Sequence, residues 1–240
     1  MHDIDMERAS LEFARCWAAA GRHIETRIQG KMKSWLRSHL NPPFLEHLSF
    51  RLGNQLFFVR IEDETGDLDV PGTRAGLLRI ADGCRGTPCV MPMRKRAGEW
   101  VPFHPGWGLR EARSGMEVDP VALVSDQRIE MTPWELQDLA VQVVGDHLKQ
   151  RGRQLVSWQG DPSLWFVGEH GPEWVVVRAA RFPQLRAARP PRWKEITEKC
   201  AAMNLRGHFA SVAVANAGNA SEPLWRGHAL DAEFAGLDSA

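Results

Sequence analysis

Thr132-Pro133-Trp134-Glu135 opens the stretch whose reading decides the fold: a capping threonine, a proline at the first helical position, and a glutamate three residues after the cap. The threonine hydroxyl satisfies a backbone N–H that the helix leaves unbonded, and the glutamate reaches back to the N–H of the cap. Leu136, Leu139, Ala140, Val143, Val144 and Leu148 then recur at helical spacing, so the helix has one apolar face to about Gln150, and Gly152 ends it. Three short runs follow, Gln154 to Trp158, Leu164 to Val167 and Glu173 to Ala179, separated by Gly160-Asp161-Pro162 and Gly168-Glu169-His170-Gly171. Their length and Gly/Pro punctuation predict a three-stranded meander. Arg189-Pro190-Pro191 precedes a helix from about Arg192 to Asn204, His208 to Val214 reads as a buried strand, and Ala229 to Phe234 as an edge strand.

Toward the amino terminus the same grammar recurs. Apolar residues from Leu11 to Leu36, among them Phe13, Trp17, Ile24, Ile28, Met32 and Trp35, keep a spacing near 3.6 and predict one or two amphipathic helices over Met6 to Leu40, broken at Gly21 and Gly30. Asn41-Pro42-Pro43 stops helix formation. Leu48 to Leu52 and Gln55 to Ile61 flank Gly53-Asn54 and read as a hairpin with a two-residue loop. Glu62 to Asp69 is an acidic loop, Thr73 caps a short helix that Gly83 ends, and Pro88 to Met93 returns as a strand. The Pro- and Gly-rich region from Trp100 to Asp126 reads as short strands and turns connecting two halves. The expected fold is α/β: two tandem modules, residues 1–126 and 127–240, each a short mixed sheet flanked by helices.

The halves echo each other. Leu56-Phe-Phe-Val-Arg60 matches Trp174-Val-Val-Val-Arg178, and Arg85-Gly86 before one strand matches Arg206-Gly207 before another, with a helix between the landmarks in both. A period near 120 residues points to duplication of a whole α/β unit rather than a solenoid.

Composition bounds the function classes. The chain has 240 residues, 30 Lys+Arg against 30 Asp+Glu, and 43% hydrophobic residues, which excludes a polyelectrolyte or disordered chain. Acidic residues near the start and the lack of a long apolar run predict no secretion signal and no membrane span, hence a cytoplasmic address. Four scattered cysteines read as reduced, buried thiols, and Cys84 and Cys89 lack the second ligand pair that zinc needs. No phosphate-binding glycine loop, nucleophile elbow or His-Glu-x-x-His helix is present.

The order of helix, three-strand meander, helix and strand over residues 132–214 resembles the restriction-endonuclease-like PD-(D/E)XK superfamily. The resemblance implies a helical glutamate, matched by Glu135; an aspartate at the second strand, matched by Asp161; and a carboxylate-x-lysine pair on the third strand, which falls on Val176 and Arg178. Phosphodiester hydrolysis in such a site needs Mg2+ held by carboxylate oxygens. Valine supplies none, and arginine stays protonated and cannot serve as a base. The resemblance therefore implies a degenerate site, with Glu135, Asp161 and Arg178 as its remnants and no metal or other cofactor. Glu135 is equally a capping-box residue and Asp161 a turn former before Pro162.

Eleven basic residues stand against five acidic ones from Lys149 to Arg206, and Arg181, Arg186, Arg189 and Arg192 crowd one loop able to follow a phosphate backbone or an acidic protein face. The leading expectation is a non-catalytic nuclease-like protein, a binding or scaffolding component of a bacterial-type complex. It would contact protein or nucleic acid through its basic second half, as a monomer or a homo-oligomer. The alternatives are an active Mg2+-dependent nuclease with a migrated ligand at Glu195 or Glu198, and a protein-interaction module without nucleic-acid binding.

Overall fold

A computed structural model describes residues 10–28, 33–35, 48–158, 161–169 and 171–240. Among these the chain forms five helices and eleven strands and divides into two units, the first ending at Gln127 and the second running over Arg128–Ala240. Each unit is a mixed sheet flanked by helices, so the chain is two tandem α/β modules.

In the first unit, α1 (Leu11–Ile28) precedes β1 (Lys33–Trp35), β2 (Leu48–Leu52) and β3 (Gln55–Asp63); α2 (Arg74–Gly83) leads to β4 (Thr87–Arg96), β5 (Glu99–Pro102) and β6 (Arg110–Glu111), and α3 (Pro120–Leu123) closes the unit. The five main strands lie in the order β1-β2-β3-β4-β5, with β3 and β4 parallel and the other neighbours antiparallel. Strand alternation divides the sheet into two faces. Phe57, Val59, Ile61, Cys89, Met91 and Met93 pack with Phe13, Cys16, Ala20 and Ile24 of α1, whereas Leu56, Phe58 and Val90 are buried on the face where α2 packs.

The expected helix over Met6 to Leu40 needs two corrections. Gly21 does not break it: α1 passes through that position, where a Cβ would sit in ordinary van der Waals contact, 3.9 Å from Leu48. Lys33–Trp35 is a strand, paired antiparallel with Arg51 and its neighbours, because pairing along the edge of β2 outweighs helical periodicity in so short a run. Gly30 and Asn41-Pro42-Pro43 lie outside the described residues. The hairpin forms as expected, with Gly53 at φ 56°.

In the second unit, α4 (Pro133–Gln150) precedes β7 (Gln154–Trp158), β8 (Leu164–Gly168) and β9 (Gly171–Arg181); α5 (Trp193–Ala201) leads to β10 (Arg206–Asn216) and β11 (Leu230–Ser239). The strand order is β7-β8-β9-β10-β11, again with only the third and fourth strands, β9 and β10, parallel. Val175, Val177, Leu164, Phe166, Ala210 and Val212 face α4, while Trp174, Val176 and Phe209 face Ile196 and Cys200 of α5. The last strand is longer than the edge strand expected over Ala229 to Phe234, and its pairing shifts register opposite Ala210 and Val212.

The two units share a landmark down to register. In the parallel pairs Gly207 lies opposite Trp174, and Gly86 occupies the matching place beside Leu56 and Phe58. A Cβ on Gly207 would come within 1.9 Å of the Trp174 ring, and one on Gly86 within 2.6 Å of the Phe58 ring. In both units an arginine, Arg60 or Arg178, sits four residues beyond the strand position that faces the glycine.

Candidate functional site

Glu135 begins where the capping box puts it. Its Oε2 accepts from the Thr132 backbone N–H at 2.9 Å, and its own N–H donates to the Thr132 hydroxyl. The sequence did not foretell its second partner. Arg226, 91 positions away, donates from Nε to Oε1 at 2.8 Å and to Oε2 at 3.0 Å, and from Nη2 to Oε2 at 2.8 Å, with both side chains fully buried. Two full charges taken out of water hold only when each satisfies the other in this way. The pair binds the start of α4 to the segment before β11, which is also tied through Met131 N–H to Leu224 O and Arg226 N–H to Ile129 O.

Asp161 stands in the turn between β7 and β8 and is held by Arg178 of β9. Nη1 donates to Oδ1 at 2.8 Å and Nη2 to Oδ2, a fork in which both carboxylate oxygens are taken. Arg178 Nη1 also donates to the Val177 carbonyl. Val176, two residues before Arg178 on β9, is fully buried against Ile196, Cys200 and Phe209. Glu195 is held by Arg192 through Nε to Oε2 at 2.8 Å and through Nη2 to Oε1, which keeps its carboxyl below the ordinary range. Glu198 faces Lys194 at 3.8 Å.

A magnesium ion would need two or three carboxylates converging with free oxygens. Here Glu135, Asp161 and Glu195 are each bound by a different arginine through both oxygens, and Val176, where the resemblance implies a carboxylate, is a buried hydrocarbon. Among the described residues no group of three His, Cys, Asp or Glu side chains is placed to hold a metal ion. The donor set does not fit the ion that the nuclease resemblance implies.

The arginine loop is likewise occupied. Arg181 pairs with Glu130 and Arg186 with Asp238, Arg189 lies 4.8 Å from the Trp193 ring centroid and 5.8 Å from that of Phe209, and Arg192 holds Glu195. The Ala187 N–H donates to Ser211 Oγ at 2.8 Å and fastens the loop over β10.

One structural feature escaped the sequence. Where β8 stops opposite Val175, the outer edge of β9 continues with no strand beside it among the described residues. Ser163 Oγ accepts from Val177 N–H at 2.9 Å, while the Gln137 amide donates to Val177 O at 2.9 Å and accepts from Ala179 N–H at 3.1 Å. The glutamine imitates a strand, and the edge is closed to outside pairing there.

A pocket of about 270 Å3 lies between α5 and the turn before β8. Pro162, Trp165, Ile196, Cys200 and Met203 make its apolar lining, with Asp161, Glu195, Arg192 and Lys199 as its charged members. Burial raises the Cys200 thiol above its ordinary pKa and leaves it a packing group rather than a nucleophile.

Residues 134–240 match the family model of a Domain of unknown function (DUF8840). That match covers α4 through β11, the helices and sheet on which the pocket and the Arg226–Glu135 and Arg178–Asp161 pairs are built. No curated protein and no solved structure matches the chain. No helix among the described residues is long and apolar enough to cross a membrane.

Proposed function

We propose that this chain is a non-catalytic, nuclease-like binding or scaffolding protein, built by duplication of an α/β unit and working in the cytoplasm. One observation carries the reading: Val176, where the nuclease resemblance would put a metal-binding carboxylate, is fully buried, and both oxygens of Asp161 are taken by Arg178. Hydrolysis of a phosphodiester requires charge stabilisation and an activated water at that place, and a hydrocarbon beside a closed ion pair offers neither. The strand order with a single parallel pair supports the nuclease-like part. The glycine landmark repeated at Gly86 and Gly207 supports duplication.

The test is cleavage of plasmid and linear DNA with Mg2+ or Mn2+, together with calorimetric titration of both ions into wild type and Asp161→Ala. No turnover and no saturable metal heat is expected. Turnover that Asp161→Ala abolishes would overturn the reading in favour of a nuclease with its ligand migrated to Glu195 or Glu198.

A further inference from the structure

We infer that the first unit carries a site for a nucleotide unit, with its phosphate on Arg94 and Arg110 and its base on the Phe103 ring; the inference deepens the binding role proposed above and rests on it. Arg94 lies opposite Val101 in the β4–β5 pairing and Arg110 of β6 lies opposite Val90, so strand alternation puts both arginines on the sheet face that α2 shares. Phe103, whose N–H donates to Pro92 O at 2.8 Å, is 40% exposed. The Arg94 guanidinium lies 5.3 Å from its ring centroid, the His104 ring meets it edge to face at 4.8 Å, and Arg110 Nη2 donates to His104 Nδ1 at 3.2 Å. Cation, ring, ring and cation form one connected row.

The chemistry of that row selects what it can hold. The Nε–H groups of Arg94 and Arg110 are buried with no acceptor, and among the described residues no carboxylate closes an ion pair with either guanidinium. Glu117 stands opposite Arg110 in an isolated bridge and Glu99 opposite Arg96 at the end of the hairpin, yet neither acid reaches ion-pair distance of an arginine there. A guanidinium that has lost water on one side and gained no carboxylate is under-compensated, and draws an anion from outside. Because arginine only donates, His104 accepts at Nδ1 and carries its proton on Nε2; burial, with Arg110 adding to it, lowers the pKa of the ring and keeps it neutral. Every polar group of the row is thus a donor, which suits an oxyanion, and the planar fork of arginine grips phosphate through two N–H groups. The exposed ring beside these cations supplies the other half of nucleotide recognition, since any base can stack on it. An acidic peptide is the poorer fit, because its backbone brings N–H donors to a site already made of donors. A free nucleotide and a single strand offer the same chemistry, and the experiment separates them.

The experiment is fluorescence anisotropy of the full chain with a fluorescein-labelled oligothymidylate 12-mer in EDTA, beside a labelled glutamate 12-mer peptide as an anion without bases. Thymidine monophosphate, thymidine and inorganic phosphate serve as competitors. Saturable binding of the oligonucleotide is expected, weakened about fivefold or more by Phe103→Leu and by Arg94→Gln, with a shallower salt dependence in the arginine variant. The glutamate peptide is expected to bind at least about tenfold more weakly. Displacement by thymidine monophosphate, where thymidine and phosphate are each ineffective, assigns the free nucleotide as ligand; no displacement assigns the strand; the site stands in both cases. Phe103 is exposed, and an unchanged unfolding midpoint verifies that each variant is folded. The inference is overturned by absence of saturable binding, by equal affinity for the glutamate peptide, by phosphate competing as well as the nucleotide, or by indifference to both substitutions. DNA cleavage on adding Mg2+ to the same preparation strikes the non-catalytic reading alone, so the two failures are told apart.

Discussion

Arg226 and Glu135 show how much one residue can weigh when its charge is out of water. With both side chains buried and three hydrogen bonds between them, removing one partner leaves the other an uncompensated buried charge. Arg226→Ala is expected to cost about 3–5 kcal/mol, and Asp161→Ala about 1 kcal/mol or less, since its pair with Arg178 is partly exposed. Midpoints of urea unfolding for the two variants check this; equal losses would contradict it. Glu62 contributes to the acid dependence of the first unit, alongside Glu12, Asp63 and Glu111. Its carboxyl is held below the ordinary range first by hydrogen bonds from Arg74, with burial opposing and Arg60 adding to the effect. A depressed carboxylate pKa contributes stability that is complete above the unfolded value of about 4.3 and is lost as pH falls through the folded value. Wild type and Arg74→Met are therefore expected to differ in thermal midpoint at neutral pH and to converge in acid.

At the scale of elements, Gly86 just before β4 and Gly207 at the start of β10 decide how closely the parallel strands approach. Gly207→Ala would drive a methyl into the rigid, buried Trp174 ring, whereas Gly86→Ala meets Phe58 at a longer distance. Both are expected to destabilise by about 1–3 kcal/mol, Gly207→Ala the more, and Trp174→Leu to relieve part of the Gly207→Ala loss in a double-mutant cycle. Additive losses would show that the ring and the glycine do not compete for the same space. The starts and ends of α2 and α4, the hairpin at Gly53-Asn54 and the meander were legible in the sequence, because caps, turns and two-residue alternation are chemistry between neighbours. The strand at Lys33–Trp35 was not, since a run of three residues takes its conformation from β2 beside it.

Across the whole molecule a formal net charge of zero hides a basic segment whose cations are largely answered by acids distant in sequence. Arg181 finds Glu130, Arg186 finds Asp238, and Arg178 finds Asp161. A chain that presented four free arginines to a phosphate backbone would lose nucleic-acid retention steeply with salt. Here the triple variant Arg186→Ala, Arg189→Ala, Arg192→Ala is expected to change DNA retention less than twofold across a 50–200 mM salt series. A steep loss in the variant would restore the nucleic-acid reading of that loop.

The amino-acid order by itself determined the α/β class, the helix caps and most strand positions, all of which depend on residue identity and short-range spacing. Only the tertiary structure decided that Asp161 is closed by Arg178, that Glu135 serves a buried arginine 91 positions away, and that Gln137 seals the edge of β9. The reason is physical. A charge or an amide chooses its partner within about 3 Å, and the stacking of layers and the register of strands bring distant parts of the chain within that reach.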